Sequence, residues 1–160
     1  MGRYEHIQHG WFHWILHMLG LVPLTLGITL RSEFEGGWLA TVAVGVLMEL
    51  VATCFWHLRV RDEGDVLGVA FGPLRVFSKR IPYGSLREFR PERTSILDGW
   101  GVRWRPGAGW LWNLGGFDCI RFLDDRGRSF RVGTDDPEGL LEHLTARVPH
   151  AAPRAEAVAS

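Results

Sequence analysis

Four histidines near the N-terminus recur at a spacing that places them on one face of a helix. His6, His9, His13 and His17 follow one another at intervals of three, four and four residues. At about 100° per residue, this spacing predicts a stripe of imidazoles about 80° wide. Aligned imidazoles can bind a metal or pass protons. His6 and His9, nearest the chain end, are expected in the lipid headgroup region, where water solvates them.

A second polar set further along the chain has the same helical spacing. Glu49, Thr53 and His57 are separated by four residues each and interrupt a strongly apolar run. They are therefore predicted to share one face of a second helix. Two helices that each carry one polar stripe can hide both stripes by packing them together.

Folding the chain back at residues 36–37 brings the two stripes to matching depths. Counting from this turn puts Glu49 about half a helical turn from His17, and His57 opposite the middle of the histidine stripe. An ionisable group inside a bilayer is costly if it faces lipid, so these side chains are expected to face one another.

Three interpretations of this polar seam remain open. His13, His17, Glu49 and His57 form a ligand set suited to Zn, Cu or Fe, and one histidine could serve as an axial ligand to haem. Alternatively, His17 and Glu49 form a proton relay. The third interpretation, which we favour, is a hydrogen bond that holds two membrane helices together.

The segment 99–116 is unusually rich in glycine and tryptophan. Trp100, Trp104, Trp110 and Trp112 lie among six glycines in eighteen residues. A long aromatic loop of this kind can bind a peptide, a lipid surface or a second copy of the chain. We favour the alternative that the tryptophans plug an open end of the soluble domain or lie against the membrane.

Two apolar runs, residues 10–30 and 38–58, must position the polar stripes. Each has about 21 residues, and together they contain one formal charge, Glu49. At 1.5 Å per residue, an α-helix of this length crosses a hydrocarbon core of about 30 Å. We therefore predict a transmembrane hairpin with an outer loop at 31–37. A cleaved signal peptide is a weaker alternative for the first run, which is long and contains Pro23.

The charges that flank the hairpin predict its orientation. The outer loop holds one arginine and two glutamates, whereas Arg59 and Arg61 directly follow the second run. By the positive-inside rule, the N-terminal segment 1–9 and the chain after the hairpin face the cytoplasm. The expected location is a multi-pass protein of the cell inner membrane.

Residues 59–148 have the pattern of a small β-rich soluble domain. Short alternating segments are divided by turn residues, and Asp124 to Gly127 has the chemistry of a hairpin turn. A C-terminal helix is predicted to begin within residues 134–138, and residues 149–160 read as a disordered tail. The predicted strands cover residues 58–63, 66–71, 75–81, 86–91, 101–105, 118–124 and 129–134.

Several motifs in this region carry a family resemblance. They are Phe71-Gly-Pro-Leu-Arg-Val-Phe, Ile81-Pro-Tyr-Gly-Ser-Leu, Gly99-Trp-Gly, Trp110-Leu-Trp-Asn-Leu-Gly-Gly and Phe130-Arg-Val-Gly-Thr-Asp-Asp-Pro-Glu. The chain resembles bacterial membrane proteins with a pleckstrin-homology-like (PH-like) domain, a largely uncharacterised family. The resemblance implies about seven antiparallel strands in a partial barrel, one C-terminal capping helix and no catalytic residues. It also implies that Arg75, Lys79 and Arg80 are the nearest equivalents of a basic phosphoinositide-binding loop.

The composition and the absence of known motifs argue against several classes of function. The chain has no net charge, and residues 59–148 carry fifteen basic and thirteen acidic residues, too small an excess for nucleic-acid binding. No phosphate loop, nucleophile elbow or zinc-protease helix occurs. The sequence therefore predicts a non-enzymatic, membrane-anchored interaction or scaffold protein without a bound cofactor. Its expected partners are the bilayer and a protein or lipid headgroups, and its polar stripe suits homo-oligomerisation.

Overall fold

The computed structural model describes residues 3–33, 36–95 and 99–151. It contains three α-helices and nine β-strands among these residues. The helices are α1 Phe12–Thr29, α2 Gly37–Cys54 and α3 Pro137–Arg147. The strands are β1 Glu5–His9, β2 His57–Asp62, β3 Val66–Phe71, β4 Ser78–Pro82, β5 Leu86–Arg93, β6 Gly101–Arg105, β7 Gly109–Asn113, β8 Asp118–Asp124 and β9 Ser129–Gly133.

Helices α1 and α2 pack against each other as a hairpin. Each has 18 residues, a length of about 27 Å, and is apolar enough to span a membrane. Only 17% of each helix is buried within the protein, which leaves most of their apolar side chains outward. A helix that is apolar on nearly all sides finds its favoured solvent in lipid rather than in water.

Glycines set how closely the two helices approach. A Cβ on Gly45 would lie 2.6 Å from Leu24 Cγ, and one on Gly27 would lie 2.7 Å from Val42 Cγ2. Neither position can therefore carry a larger side chain without moving its neighbour. Small residues at the contact are typical of helix pairs in membranes, where close van der Waals packing replaces the hydrophobic effect.

Both helices are shorter than the predicted runs 10–30 and 38–58. Residues 5–9 and 57–62, outside the hairpin, form β1 and β2 and pair with each other, Glu5 opposite Arg61 and His9 opposite His57. The ladder satisfies the backbone of both segments, so the helices end where strand pairing begins. The β-rich region consequently includes chain from both sides of the hairpin.

The strands form two sheets. The first has the order β1-β2-β3-β4 and is antiparallel throughout, and the second has the order β5-β8-β9-β7-β6. In the second sheet β7 and β9 run parallel, in contrast to the antiparallel expectation. The sequence predicted seven strands, and β1 and β7 are additional. No closed barrel forms among the described strands.

The inner faces of the two sheets enclose the core, and α3 covers one side of it. Leu140 and Leu144 of α3 are fully buried in this core. The helix begins as predicted, with Pro137 in its first turn and the Asp136 carboxylate accepting a 3.0 Å hydrogen bond from Gly139 N–H. Of the predicted tail, residues 149–151 form a short 3-10 turn, and 152–160 lie outside the described residues.

Candidate functional site

A hydrogen-bonded pair joins the two helices of the hairpin. His17 Nδ1 lies 2.5 Å from Glu49 Oε2, and 27% of each side chain is exposed. The second carboxylate oxygen, Glu49 Oε1, is buried and has no hydrogen-bond partner among the described residues. Gly20 makes room for it, because a Cβ there would lie 2.6 Å from Oε1. Thr53 shares the face of Glu49 and donates its hydroxyl to the Glu49 backbone oxygen at 2.9 Å.

His13 extends this pair toward the β-rich region. Its ring centroid lies 5.9 Å from that of His17, and its Nδ1–H donates to the Gly10 carbonyl oxygen at 2.6 Å. The side chain is nearly buried at the start of α1. His13, His17 and Glu49 therefore form a polar chain that runs from the first turn of α1 into the hairpin.

The other predicted members of the stripes lie elsewhere, which corrects the sequence interpretation. His6 and His9 belong to β1 and His57 to β2, so none of them continues a helical face. His57 packs beside His9, with ring centroids 6.0 Å apart, and His6 Nε2 lies 2.5 Å from Asp135 Oδ1. Burial lowers the pKa of His57, and the nearby Arg59 adds to this effect.

His57 consequently does not share the face of Glu49 and Thr53 that the sequence predicted. Across the described ranges, no three His, Cys, Asp or Glu side chains are placed to hold one metal ion. The four-ligand set His13, His17, Glu49 and His57 is thus not assembled. Haem ligation by a single histidine stays a prediction.

The glycine- and tryptophan-rich segment is a hairpin rather than a long loop. Strands β6 and β7 pair with Trp104 opposite Trp110. Trp112 is in the core and 7% exposed, whereas Trp100 packs on Trp11 at the start of α1, with ring centroids 5.1 Å apart. The four tryptophans therefore divide into a core residue, a residue beside the helices and an exposed pair, Trp104 and Trp110.

A cleft of about 580 Å³ opens between β4 of the first sheet and the β7–β9–β8 part of the second. None of the described residues that line it belongs to α3. Its walls combine apolar side chains with a few charged ones, the usual composition of a binding site. The walls include Lys79, Ile81, Leu86, Trp104, Trp110, Phe122, Asp124, Arg128 and Phe130.

Lys79, one of the basic residues that line the cleft, lies over an aromatic ring. Lys79 Nζ lies 4.3 Å from the centroid of the Phe130 ring. Burial lowers the pKa of Lys79, the Arg128 charge adds to the lowering, and the nearby Asp124 carboxylate opposes it. Asp124 pairs with Arg128 at 2.7 Å. No described carboxylate is within ion-pair distance of Lys79.

The remaining two members of the predicted basic group lie on the opposite face of the first sheet. Arg75 and Arg80 both contact the Glu63 carboxylate, at 3.4 and 3.1 Å, and Arg61 reaches the same group at 3.4 Å. The glutamate neutralises part of this charge. Lys79 thus faces away from Arg80, because adjacent residues of a strand face opposite sides. All three basic residues nevertheless border one hollow of about 470 Å³ beside Glu63.

The end of the β-rich region next to the helices has an exposed apolar rim. Gly72, which follows β3, packs against the end of α2 so closely that a Cβ would lie 2.4 Å from the Cys54 carbonyl oxygen. In the loop that follows, Leu74 and Val76 are 57% and 64% exposed. The loop therefore presents apolar side chains beside the point where α2 ends.

A polar cluster lies beneath α3. Tyr83 Oη donates to Asp62 Oδ1 at 3.3 Å and lies 3.1 Å from His143 Nε2, while Tyr4 Oη donates to Asp136 Oδ2 at 3.1 Å. Burial and the adjacent aspartates raise the pKa of both tyrosines. Burial lowers the pKa of His143, an effect that Asp62 opposes and Arg147 reinforces. Sequence reasoning missed this cluster because its members are far apart in the chain.

No protein-family model matches the chain, and no curated protein is similar to it. The PH-like resemblance therefore stays a prediction.

Proposed function

We propose that the protein is a membrane-anchored, non-enzymatic interaction module with a PH-like domain. In this proposal α1 and α2 span the cell inner membrane as a hairpin. The β-rich region then sits on the cytoplasmic surface and offers its inter-sheet cleft to a protein partner.

The observation that carries the proposal is the direct connection between the helical hairpin and two paired strands of the first sheet. The chain enters α1 directly from β1 and, after α2, continues into β2, and these strands are neighbours with His9 opposite His57. The exposed apolar side chains of Leu74 and Val76 belong to the loop that packs beside the end of α2. Hydrocarbon around the helices would thus place the apolar rim at the interface and the domain flush with the bilayer.

Charge supports the cytoplasmic orientation. Arg59 and Arg61 of β2 follow the end of α2 in sequence, and Arg75 borders a small hollow together with Arg59 and Gly72. Arginines at this position favour the cytoplasmic face and the anionic lipids on it.

The polar cluster beneath α3 supports a non-enzymatic role. Tyr83, His143 and Asp62 have the residue types of a catalytic group, yet they bond one another, and the side chains of His143 and Asp62 are only 13% and 9% exposed. The cluster ties α3 to the end of β2 and to the turn after β4, which is a structural task.

The test compares the partners of the intact protein with those of cleft variants in living cells. Proximity labelling should give a reproducible partner set that shrinks in the Trp104→Ala, Trp110→Ala double variant. Trp56→Ala is the matched control, because Trp56 is about as exposed but lies outside the cleft. Extraction of the protein by alkaline carbonate, or equal partner sets in all three forms, would refute the proposal.

A second candidate function is a proton relay within the hairpin. The favouring observation is Glu49 Oε1, a buried carboxylate oxygen without a described partner, next to the chain of His17 and His13. When the external pH is lowered, liposomes that contain the protein and an internal pH dye should then acidify faster than liposomes with Glu49→Gln. Equal rates would remove this candidate, and metal analysis with an absorption spectrum of the purified protein tests the metal and haem alternatives.

A further inference from the structure

We propose that the cleft between β4 and the second sheet binds an extended peptide, which adds to β4 as a further strand. This inference rests on the proposed function and narrows it, because it names the chemistry of the partner. Three independent features of the cleft support it: an open strand edge, an aromatic wall and a lysine that no described carboxylate approaches within ion-pair distance.

The open edge follows from the hydrogen-bond pattern of the first sheet. Phe71 N–H donates to the Phe77 carbonyl oxygen at 2.9 Å. Lys79 and Ile81 lie two and four residues further along the same strand register, so their backbone groups also point toward β3. In an antiparallel pair, alternate residues turn their backbone groups to opposite sides. The N–H and C=O groups of Ser78 and Arg80 therefore point away from β3, on the free side of β4, where Arg80 borders the cleft.

This edge is the outer strand of its sheet. The order β1-β2-β3-β4 ends at β4, and none of the described strands pairs with its other side. Unpaired edge groups are a ready template for an added strand. Proteins usually cover such an edge, and here the cleft leaves room beside it.

The aromatic wall lies on the inner face of the second sheet. Trp104 and Trp110 share the face of Phe130 and Trp112, which belong to the core, as the strand registers show. Even so, they remain 58% and 44% exposed. Inward-facing tryptophans with this exposure mark a volume that no side chain of the described protein fills.

The charge in the cleft indicates what an occupant carries. Lys79 is on the inner face of β4 and rests on Phe130, with no carboxylate partner among the described residues. Arg80, in contrast, turns outward and is paired with Glu63. A peptide with an acidic residue or a C-terminal carboxylate would complete the Lys79 ion pair in a partly desolvated place.

The expected peptide follows from these features. Apolar or aromatic residues at alternate positions would enter the cleft against Trp110 and Phe130, and one acidic group would meet Lys79. Its backbone would bond Ser78 and Arg80. A small amphiphile could fill the same volume of about 580 Å³ but would leave the strand edge unpaired.

The experiment uses the full chain in lipid nanodiscs and a displayed library of random twelve-residue peptides. We expect enrichment of peptides with alternating apolar residues and one acidic group. Binding of an enriched, fluorescently labelled peptide is then measured by polarisation. Arg80→Pro removes the edge N–H but no hydrogen bond to β3, and Arg80→Ala is its control because it removes only the side chain.

Arg80→Pro should weaken binding at least about threefold more than Arg80→Ala does, because it removes one backbone hydrogen bond. Lys79→Glu should weaken binding about tenfold, whereas the same charge change at exposed Arg126 should have little effect. Amide exchange gives a second readout on the unaltered protein, because the Ser78 and Arg80 amides should become protected when the peptide binds.

The inference is overturned by a library without enrichment, by equal affinities of the two Arg80 variants, or by unprotected edge amides. It is also overturned if dodecanoate binds the cleft and no peptide competes with it, which would identify a small amphiphile as the occupant. Failure of the anchored-module proposal looks different, because carbonate would then release the protein from membranes whatever the peptide result.

Discussion

His17 Nδ1 on α1 and Glu49 Oε2 on α2 lie 2.5 Å apart, at the point where Gly20 lets the carboxylate enter the helix contact. This contact joins one ionisable side chain from each of the two apolar helices. If the helices lie in hydrocarbon, as we propose, water can solvate neither residue, and the pair then contributes both to the affinity of the helices and to their register.

The first prediction concerns this pair. Glu49→Ala should lower the free energy of unfolding in detergent by about 1 kcal/mol, because His17 loses its partner across the helix contact. Leu50→Ala is the control, since Leu50 is the next residue on α2 and is half exposed. Unfolding of the helices is followed by circular dichroism in increasing dodecyl sulphate, and equal stability of the two variants would show that the pair contributes nothing.

The second prediction concerns the close approach of the helices. Gly45→Val should destabilise the hairpin by about 1–3 kcal/mol, because the added carbons meet Leu24 and force the helices apart. Ala43→Val adds two carbons, one fewer than Gly45→Val, on the exposed side of the same helix and should have little effect. The measurement is again dodecyl sulphate unfolding, and similar losses in both variants would contradict the packing that we describe.

The third prediction concerns pH and the cluster beneath α3. Burial lowers the pKa of His143 in the folded protein below its ordinary value of 6.5. The unfolded chain therefore takes up the proton first as the pH falls, so this contribution to stability is present above about pH 6.5 and lost below it.

Thermal unfolding from about pH 7.5 to about pH 5 should accordingly show a steeper loss of stability for the unaltered protein than for His143→Gln. Glutamine keeps a hydrogen-bonding group near Tyr83 but does not titrate in this range. Parallel curves would show that His143 is not the responsible group. The lowered pKa of His57 acts in the same direction in both proteins and cancels in the comparison.

The fourth prediction concerns the apolar rim. A nitroxide attached at Leu74→Cys should contact lipid, because Leu74 is exposed in the loop that packs beside the end of α2. In liposomes, collisions with oxygen should then exceed those with a water-soluble nickel complex. A label at Arg126→Cys in the β8–β9 turn should show the opposite preference, and the same ratio at both sites would mean that the loop stays in water.

The residue pattern alone determined the features that depend on neighbours in sequence. The two apolar helices, the cap of α3 at Asp136 and Pro137, and the turn after Asp124 all follow from local periodicity and turn chemistry. Even the contact between Glu49 and His17 could be predicted from the sequence, by counting residues along each helix from the loop that joins them. Two regular helices joined by a short loop have few ways to align along their length.

Tertiary structure alone decided the features that depend on pairing between distant segments. The histidine spacing fits a helix, yet His6, His9 and His57 lie in strands because β1 and β2 satisfy each other's backbone across the whole hairpin. The cleft likewise depends on two features of the tertiary structure: β4 is the edge strand of the first sheet, and β7 pairs with β9 so that Trp110 lies opposite Phe130. Local periodicity contains no information about such registers, since they are set by long-range packing of whole sheets.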